Sequence, residues 1–489
     1  MITKPDRIFD RDVEWRNLAA FASQPAGRPA LGVVSGRRRQ GKTFLLEALA
    51  RENGGFYFGA TQATETESLY LFAEALSRYE DAPVQLRFVS WDEAIRYVFS
   101  RPGAKTGPII IDEFPYLSTV SPALPSILQR ELDQGVSRGK ELSLLLCGSA
   151  MSVMGGLLAG SAPLRGRAVL ELVIRAFDYR LAARFWNVID PKLAVLLHAV
   201  VGGTPAYHRF VKEDSPEDLA DFDDWLPRTV LNPATPLFRE ARYLLEEETE
   251  VRDTALYHSV LAAVASGNNT RGGIANYIGR KAADIGHHLN VLEDCGLLRR
   301  EFDVFRAGRS CYRIAEPLIT FYQAIMRPQW GLLESGCATA VWQDAKARFP
   351  AQVVGPHFEQ MCREFASTAP PEIFGALSGD VGAGVVADPA RRGHIQVDVV
   401  VFAPAMPGEP RRVLSLGEAK WGEIMGPRHS ERLRRARDLL ADRGYDTRDT
   451  LLACYSGAGF TPELRASSGR DRVLTVGLED LYADIMPSA

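Results

Sequence analysis

The sequence predicts an α/β protein of several domains, the first of which is built on a parallel sheet. Residues 36–43 read GRRRQGKT. A short apolar run precedes them and a segment with apolar residues at helical spacing follows, so the pattern predicts a strand, a loop and a helix in that order. Further on, three isoleucines precede Asp112-Glu113, as in a strand that is buried on both faces. The pattern changes after about residue 345, where we predict a second α/β domain.

Composition limits the class of protein. The 489 residues have room for about three domains, and a net charge of −4 singles out neither a nucleic-acid nor a membrane partner. Six scattered cysteines show no zinc spacing, which is typical of a reducing cytosol. The uncharged segment 142–164 is interrupted by glycines and serines, so we interpret it as a buried strand and loop rather than a membrane span. We therefore expect a cytoplasmic protein without a membrane partner.

Residues 36–43 match the phosphate-binding pattern G-x-x-x-x-G-K-[ST] at every fixed position. Such a loop turns backbone N–H groups toward an anion at a helix N-terminus. We expect ATP as the ligand, with Lys42 on the β- and γ-phosphates and the Thr43 hydroxyl on Mg²⁺. The alternative is a chance match in a glycine-rich turn. The predicted nucleotide-binding residues of this segment are Gly36, Arg37, Arg38, Arg39, Gln40, Gly41, Lys42, Thr43 and Phe44.

Hydrolysis needs further groups, and three later segments supply candidates. Asp112 and Glu113 end a predicted strand, so we expect Asp112 to hold Mg²⁺ and Glu113, with Lys42, to act in catalysis by activating water. Ser149 follows another apolar run and is a candidate γ-phosphate sensor, with a plain turn serine as the alternative. Arg167 lies in a loop and is a candidate for stabilising phosphate charge, either in its own chain or across the interface of a homo-oligomer.

The order of these motifs resembles a family. The segments FDRDVE (9–14), GRRRQGKT, IIIDEFPYL, LLLCGSA, PLRGR and VGGTPAY (201–207) are similar to those of the archaeal-type ATPases of the AAA+ superfamily, close to the signal-transduction ATPases with numerous domains. The resemblance implies that Phe9, Arg11 and Glu14 pack near the adenine and that Pro205, in a helical lid, contacts the base. From the residues alone, the two glycines before Pro205 indicate a break between helices. We predict an ATPase core over 1–180 and the lid over 181–250.

Residues 251–325 are typical of a winged helix-turn-helix, with three short helices and a hairpin. The third helix, predicted over 281–293, would enter a major groove. Acidic residues on that helix leave a packing role open as the alternative. Candidate nucleic-acid contacts are Arg280, Lys281, His287 and His288, with Arg306 and Arg309 on the wing.

The C-terminal pattern, residues 345–489, fits the PD-(D/E)xK nuclease fold. A helix carries Glu359, an apolar strand contains Asp398, and the next strand ends in Glu418-Ala-Lys420 before an arginine-rich helix. A carboxylate among valines is costly without a partner, and a divalent metal held by Asp398 and Glu418 would be one. Lys420 would stabilise the attacking hydroxide or the developing charge. The resembling family commonly ends in such a domain and usually has Glu-x-Asp in the first strand, whereas Gln396 stands here.

These patterns together predict an ATP-driven switch whose nuclease-like C-terminal part binds nucleic acid, with DNA favoured over RNA; whether that part also cleaves it is left open. The alternative is a signalling or scaffold ATPase whose C-terminal domain is an inactive binding module. In both cases the expected cofactors are ATP and Mg²⁺.

Overall fold

The computed structural model describes residues 2–23, 28–100, 107–137, 142–246, 254–468 and 471–483. The chain divides into two compact units, Met1–Ala176 with the short segment Asp294–Gly296, and Phe177–Glu293 with Leu297–Ala489. The predicted lid and C-terminal segment belong to the second unit, as does the predicted winged helix apart from Asp294–Gly296. Within the described ranges, no helix has both the length and the apolar character needed to cross a membrane.

The first unit consists of a parallel sheet and its helices, in agreement with the predicted α/β class. The strands are β1 (Ala30–Ser35), β2 (Phe56–Gly59), β3 (Ile109–Asp112), β4 (Ser143–Gly148) and β5 (Ala168–Val173), in the order β2-β3-β4-β1-β5. The helices are α1 (Asp12–Ala22), α2 (Lys42–Glu52), α3 (Glu65–Glu80), α4 (Trp91–Ser100), α5 (Phe114–Val120), α6 (Leu124–Ser137) and α7 (Met151–Gly156). Because all pairings are parallel, the carboxyl ends of the strands share one edge of the sheet.

The three isoleucines of β3 explain why this strand is central. Ile109 and Ile111 belong to the apolar core on one face of the sheet, whereas Ile110 belongs to the core on the other face. Successive side chains of a strand point to opposite faces, so an unbroken apolar run buries both. The prediction of a strand buried on both faces is confirmed.

The second unit begins with helices and a hairpin. The helices are α8 (Tyr179–Phe185), α9 (Pro191–Val201), α10 (Ala206–Phe210), α11 (Leu219–Arg228), α12 (Pro236–Glu246), α13 (Thr254–Ala265), α14 (Arg271–Tyr277) and α15 (Gly286–Asp294), and the hairpin pairs β6 (Leu298–Phe302) with β7 (Ser310–Ile314). The third helix of the predicted winged helix starts at Gly286, not at Lys281, because residues 282–285 form turns after Gly279, whose φ is +69°. Phe305 lies in the turn between β6 and β7.

Two π-helical segments, Tyr322–Met326 and Pro350–Val354, interrupt the following helices. Those helices are α16 (Pro317–Phe321), α17 (Trp330–Glu334), α18 (Ala338–Ala345), α19 (Gly355–Thr368) and α20 (Pro371–Phe374), and a 3₁₀ turn, Arg327–Gln329, follows the first π-helical segment. π-Helical turns are rare in proteins. Two of them within 33 residues therefore mark this region as unusual.

A five-stranded mixed sheet completes the chain. Its strands are β8 (Val381–Asp388), β9 (Gly393–Phe402), β10 (Val413–Lys420), β11 (Leu451–Ser456) and β12 (Val473–Val476), in the order β12-β11-β10-β9-β8, and its helices are α21 (Pro427–Ala441), α22 (Pro462–Ser467) and α23 (Leu478–Leu481). The ring of Tyr455 contacts Phe365 of α19, whereas Leu452 shares a core with Leu433 of α21. Since side chains alternate along β11, α19 and α21 cover opposite faces of the sheet.

Candidate functional site

The loop after β1 has the backbone that an anion-binding turn requires. Gly36, Arg39 and Gly41 have φ values of 148°, 66° and 90°. A Cβ atom on Gly36 would lie 2.2 Å from the carbonyl oxygen of Ile174, so no other residue fits there. Gly41 has open space around it, and its positive φ alone favours glycine at the start of α2. The pattern predicted from sequence therefore folds as a strand, a curled loop and a helix.

Lys42 is folded into this loop. Its Nζ donates hydrogen bonds to the carbonyl oxygens of Gly36 and Arg37, at 2.6 and 2.9 Å, and the residue is 4% exposed. Burial lowers the pKa of Lys42, and the charges of Glu113 and Asp112 act in the opposite direction. The ammonium group is thus held at the loop by two carbonyls, and a phosphate would be a stronger partner for it.

Asp112 links the loop helix to the neighbouring strands. Its Oδ2 accepts hydrogen bonds from the Thr43 hydroxyl at 2.7 Å and from the Tyr57 hydroxyl at 2.8 Å. Its Oδ1 accepts from the backbone N–H of Glu113 at 2.9 Å. The structure therefore brings together the two side chains predicted to hold Mg²⁺, Thr43 and Asp112. Tyr57 was not predicted, and burial followed by the charge of Asp112 raises its pKa.

Glu113 and Ser149 form the second polar pair at this edge. Strand β4 lies between β1 and β3, so Ser149, which follows β4, comes between the loop and Glu113. The Ser149 hydroxyl lies 3.0 and 3.2 Å from the two carboxylate oxygens of Glu113, to which it donates. Glu113 adopts a left-handed backbone with φ of 50° before α5, which turns its side chain out of the strand pattern. This backbone conformation suits the Glu113 carboxylate to face the sheet edge beside the loop of residues 36–43.

The other loop residues have mixed surroundings. Arg38 donates to the hydroxyl of Tyr116 at 3.0 Å, and Phe44 is exposed, with the guanidinium of Arg7 stacked 5.7 Å from its ring centre. Gln40 is buried. Arg11, which the resemblance placed near the adenine, donates to the carbonyl oxygen of Arg175 at 2.6 Å and lies 3.4 Å from that of Gln40. Arg11 therefore fixes the backbone of the loop.

Arg167 lies at the opposite edge of the sheet from the loop. It immediately precedes β5, whose first residue, Ala168, pairs with Leu31 at the start of β1, whereas the loop begins after Ser35. Its guanidinium forms two hydrogen bonds to Asp133, at 2.8 and 2.9 Å. Arg167 therefore does not lie beside the loop of its own chain, because five residues of extended strand separate them. That a second copy of the chain supplies its Arg167 to this loop stays a prediction.

Pro205 begins α10 in the second unit. A Cβ atom on Gly203 would lie 1.8 Å from the carbonyl oxygen of Phe177, and Gly202 has φ of 60°, so the glycines allow a close chain crossing. This agrees with the break between helices that the residues indicated. The contact of Pro205 with a base stays a prediction.

The C-terminal carboxylates lie together on neighbouring strands. Asp398 on β9 and Glu418 on β10 are buried, with 4% and 1% exposure. The Nζ of Lys420 lies 3.4 Å from Glu418 Oε1 and 3.9 Å from Asp398 Oδ2. The three residues that the sequence singled out therefore form one cluster at the end of β10.

Protein donors already satisfy most of the carboxylate oxygens in this cluster. Asp398 accepts hydrogen bonds from the Gln396 amide and from the backbone N–H of Ala419, both at 3.1 Å. Arg432 of α21, which was not predicted, donates to Glu418 Oε1 at 2.9 Å. Glu418 Oε2 is buried and has no hydrogen-bond partner among the described residues. A buried carboxylate oxygen without a donor is costly, so this atom is a candidate ligand for a cation.

The metal-binding capacity of the cluster is limited. Across the described ranges, no group of three or more histidine, cysteine, aspartate or glutamate side chains is arranged to hold a metal. Asp398 and Glu418 therefore fit a divalent cation only as two of its ligands, with water or substrate oxygens completing the set. Gln396 contributes to this limit, since its amide donates to Asp398 where a glutamate would add negative charge.

A buried ionic network joins the hairpin to this cluster. Arg313 of β7 donates to Glu301 at 2.8 Å and to Glu359 of α19 at 3.3 Å. Arg363 of α19 donates to the carbonyl oxygen of Asp398 at 3.0 Å. Burial, and then the charge of Asp398, raise the pKa of Glu359. Glu359 thus faces the carboxylate cluster, and the hairpin supplies one of its cationic partners.

The hairpin turn, His288 and most arginines of α21 contact other parts of the second unit. The turn after β6 packs on the C-terminal sheet: the N–H of Val304 donates to the carbonyl oxygen of Ala383 at 3.1 Å, and the ring of Phe305 contacts Phe402 and Tyr445. His288 packs against Tyr257, whereas His287 is exposed, so the two histidines are a core and surface pair. Four of the five arginines of α21 are ion-paired, namely Arg428 with Glu423, Arg432 with Glu418, Arg435 with Asp388 and Arg437 with Asp438.

Comparison with known proteins supports the fold. No family model matches the chain. A protein of Methanocaldococcus jannaschii, MJECL04, described as uncharacterized, is 28% identical over 338 residues, which are 68% of this chain and 72% of that protein. The solved structure of the Walker-type ATPase PABY2304 of Pyrococcus abyssi matches with a TM-score of 0.50 and 20% identity, over 66% of this chain and 97% of that one. The chain therefore has the fold of a Walker-type ATPase over about two thirds of its length.

Proposed function

We propose that this protein is an ATPase whose substrate binds at the loop of residues 36–43. The observation that carries the proposal is the convergence of three pairs at one sheet edge: Lys42 with the loop, Thr43 with Asp112, and Ser149 with Glu113. The Walker-type fold supports the same conclusion. The proposal also assigns the protein to the archaeal-type AAA+ family, with a helical lid and a winged helix in the second unit. This assignment rests on the motif order.

The residues divide the chemistry among them. Loop N–H groups and Lys42 hold the phosphates of ATP, and Lys42 exchanges its two carbonyl partners for phosphate oxygens. Thr43 and Asp112 would hold Mg²⁺, which neutralises phosphate charge when bound. Glu113 accepts a proton from the water that attacks the γ-phosphorus, while the bond to the ADP oxygen breaks. Ser149 keeps the Glu113 carboxylate oriented for that transfer.

The test is ATP binding and turnover by Lys42→Ala. We expect ATP affinity to fall and turnover to drop at least about 100-fold, because the Lys42 ammonium group, which donates to two carbonyl oxygens of the loop, would no longer hold the phosphates. Arg51→Ala, on the exposed side of the same helix, is the matched control and should retain both properties. If Lys42→Ala binds and hydrolyses ATP like the wild type, the ATPase proposal is wrong.

A second proposed activity belongs to the C-terminal sheet. We propose that it is a PD-(D/E)xK-like domain that acts on nucleic acid with a divalent cation. The partnerless oxygen of Glu418 supports this proposal, as does Lys420, which lies within 4 Å of both carboxylates. The competing proposal, a domain that binds without cleaving, is supported by the internal pairing of Asp398 and Glu418 with protein donors.

Cleavage of plasmid DNA and of labelled RNA with Mg²⁺ or Mn²⁺ separates these two proposals. We expect Asp398→Asn and Glu418→Gln each to abolish cleavage, and Glu409→Gln, an exposed loop residue, to leave it unchanged. Cleavage that persists in both cluster variants would mean that the activity comes from elsewhere. If the wild type binds but does not cleave, the scaffold proposal holds.

A further inference from the structure

A cleft of about 860 Å³ lies in the second unit, beside α13 and the end of α14. Most of the residues around it are small or polar. Three arginines, Arg280, Arg327 and Arg348, contribute to its lining, and none of the described residues that line it is acidic. The volume falls in the range of small-molecule sites, which run from about 300 to 1,000 Å³. The cleft is thus large enough for a ligand and carries positive charge without internal neutralisation.

Both π-helical segments found in the described ranges contribute residues to this cleft. The first contributes Gln323 and the second contributes Gln352, while the 3₁₀ turn between the first segment and α17 carries Arg327. π-Helical turns are less favourable than α-helical ones and occur frequently at functional sites. Two such segments on one cleft are an independent reason, beside the charge, to expect a ligand there.

The arginines have donors left for an anion. Arg327 uses its Nη1 for the carbonyl oxygen of His258 and the side-chain oxygen of Gln323, both at 3.0 Å. A guanidinium has five N–H donors, so these contacts fix Arg327 and leave its Nε and Nη2 donors to a ligand. Arg348 makes an exposed pair with Asp344, which a phosphate could replace at little cost. Arg280 is exposed at the edge of the cleft.

His258 lies beside the cleft, where its carbonyl oxygen accepts a hydrogen bond from the Arg327 guanidinium at 3.0 Å. Burial, and then the charges of Arg327 and Arg242, lower the pKa of His258 to about 4. Tyr277, which is 51% exposed, also lines the cleft and offers a flat apolar face. Phosphate and a planar ring are therefore the two chemical groups that this lining suits.

We propose that this cleft binds a phosphate-bearing ligand of nucleotide chemistry, with its phosphates on Arg280, Arg327 and Arg348 and its base stacked on Tyr277. The site is distinct from the loop of residues 36–43 and requires no ATP turnover. The ligand chemistry could come from a short free oligonucleotide or from part of a longer single strand. The experiment below distinguishes the two sources.

The test measures the binding of a fluorescein-labelled 20-nucleotide single strand by anisotropy, in full-length Lys42→Ala protein so that the loop does not contribute. We expect the double variant Arg280→Ala/Arg348→Ala to weaken binding at least about tenfold at low salt. The slope of log affinity against log salt should flatten by about 1.4, since each phosphate contact of a single strand contributes about 0.7. Arg78→Ala, an exposed arginine of α3, is the matched control and should change neither value.

Further variants keep the outcome interpretable. Arg280→Lys/Arg348→Lys retains the charge and should recover most of the affinity, which a misfolded protein would not. Tyr277→Ala should weaken binding of the strand but not competition by inorganic tripolyphosphate, which has no base. Competition by an unlabelled tetranucleotide as strong as by the 20-mer identifies a short free ligand, and much weaker competition identifies a strand.

Two results would overturn the proposal. One is unchanged affinity in the double alanine variant. The other is an equal loss in Arg306→Ala/Arg309→Ala, which would locate the binding on the turn between β6 and β7 instead.

Discussion

At the scale of single residues, hydrogen bonds between hydroxyl groups and carboxylates organise the edge of the first sheet that carries the loop of residues 36–43. Asp112 receives three hydrogen bonds and is committed to holding Thr43, Tyr57 and the start of α5 in place. Glu113 accepts side-chain hydrogen bonds from Ser149, whose hydroxyl can rotate away. The two adjacent carboxylates therefore differ in freedom, which suits one for positioning and the other for proton transfer.

Glu113→Gln should separate binding from chemistry. A glutamine keeps the size and a hydrogen bond to Ser149 but cannot accept the proton of water, so ATP affinity should persist while turnover falls at least about 100-fold. Ser149→Ala should reduce turnover less, by about tenfold. Equilibrium binding and steady-state turnover measure the two effects, with the exposed Glu47→Gln as control. Full turnover in Glu113→Gln would assign the base elsewhere.

Two packed histidines, His198 and His357, predict a pH dependence of stability. His198 is buried and His357 is partly exposed, and His198 Nδ1 lies 2.8 Å from His357 Nε2, so one ring donates and the other accepts. Burial lowers the pKa of His198 to about 4, and burial followed by the neighbouring ring lowers that of His357. The unfolded chain, with histidine pKa values near 6.5, binds more protons below that pH, so stability is complete above pH 6.5 and is lost toward pH 4.

Urea unfolding at pH 7 and pH 4.5 checks this dependence. The wild type should lose about 2.5 kcal/mol of unfolding free energy through each of the two histidines. His357→Gln should be less stable at pH 7 but lose less on acidification, whereas the exposed His394→Gln should behave like the wild type. If His357→Gln loses as much unfolding free energy on acidification as the wild type, other groups cause the pH dependence.

At the scale of elements, the hairpin β6–β7 is tied to α19 by charge. Glu301 faces Arg313 and Arg363 inside, and Arg299 at the surface. Although burial would raise the pKa of Glu301, the charges of Arg363, Arg313 and Arg299 together lower it. The hairpin is therefore part of the C-terminal carboxylate region rather than an independent module.

Arg313→Met should destabilise the second unit. Removing one partner of a buried ionic network leaves Glu301 and Glu359 short of a counter-charge, with an expected cost of about 3 kcal/mol. Arg299→Met removes a more exposed partner of the same Glu301 and should cost less than about 1 kcal/mol. Urea unfolding compares the two variants, and equal costs would mean that the network does not stabilise the hairpin.

The elements that could be predicted from the sequence are those that short, contiguous patterns encode. The loop of residues 36–43, the isoleucine strand and the clustering of Asp398, Glu418 and Lys420 follow from short patterns and strand alternation. The contacts of Tyr57 with Asp112 and of Arg432 with Glu418 join distant segments, and no local pattern encodes them. The arginine-rich helix was ambiguous for the same reason: Asp388 and Glu418, which pair with it, lie on other strands.

At the scale of the whole molecule, the chain forms two compact units, each with its own sheet. The first holds the candidate ATP site, and the second holds the carboxylate cluster and the arginine-lined cleft. Any control of one activity by the other must therefore be measured as coupling between sites, and neither site alone demonstrates it.

Calorimetry can measure this coupling through nucleotide binding. A non-hydrolysable ATP analogue at 100 times its Kd should stabilise the unit that binds it by about 2.7 kcal/mol. If the units unfold independently, we expect two transitions, of which only one shifts, and Lys42→Ala should abolish that shift. A single transition that moves as a whole would show that the two units unfold cooperatively.

The π-helical segments have a consequence for how the cleft tolerates changes in chain length. A π-helical turn contains one residue more than an α-helical turn can accommodate, so it behaves like a single-residue insertion. Rewinding Tyr322–Met326 as a regular α-helix without removing a residue would rotate the following turn by about 100°. Arg327 would then leave the carbonyl oxygen of His258 and point in another direction. Deleting one residue within the segment would instead restore regular winding and leave Arg327 close to its present direction, so the π-helical turn sets the side of the helix that carries this charge.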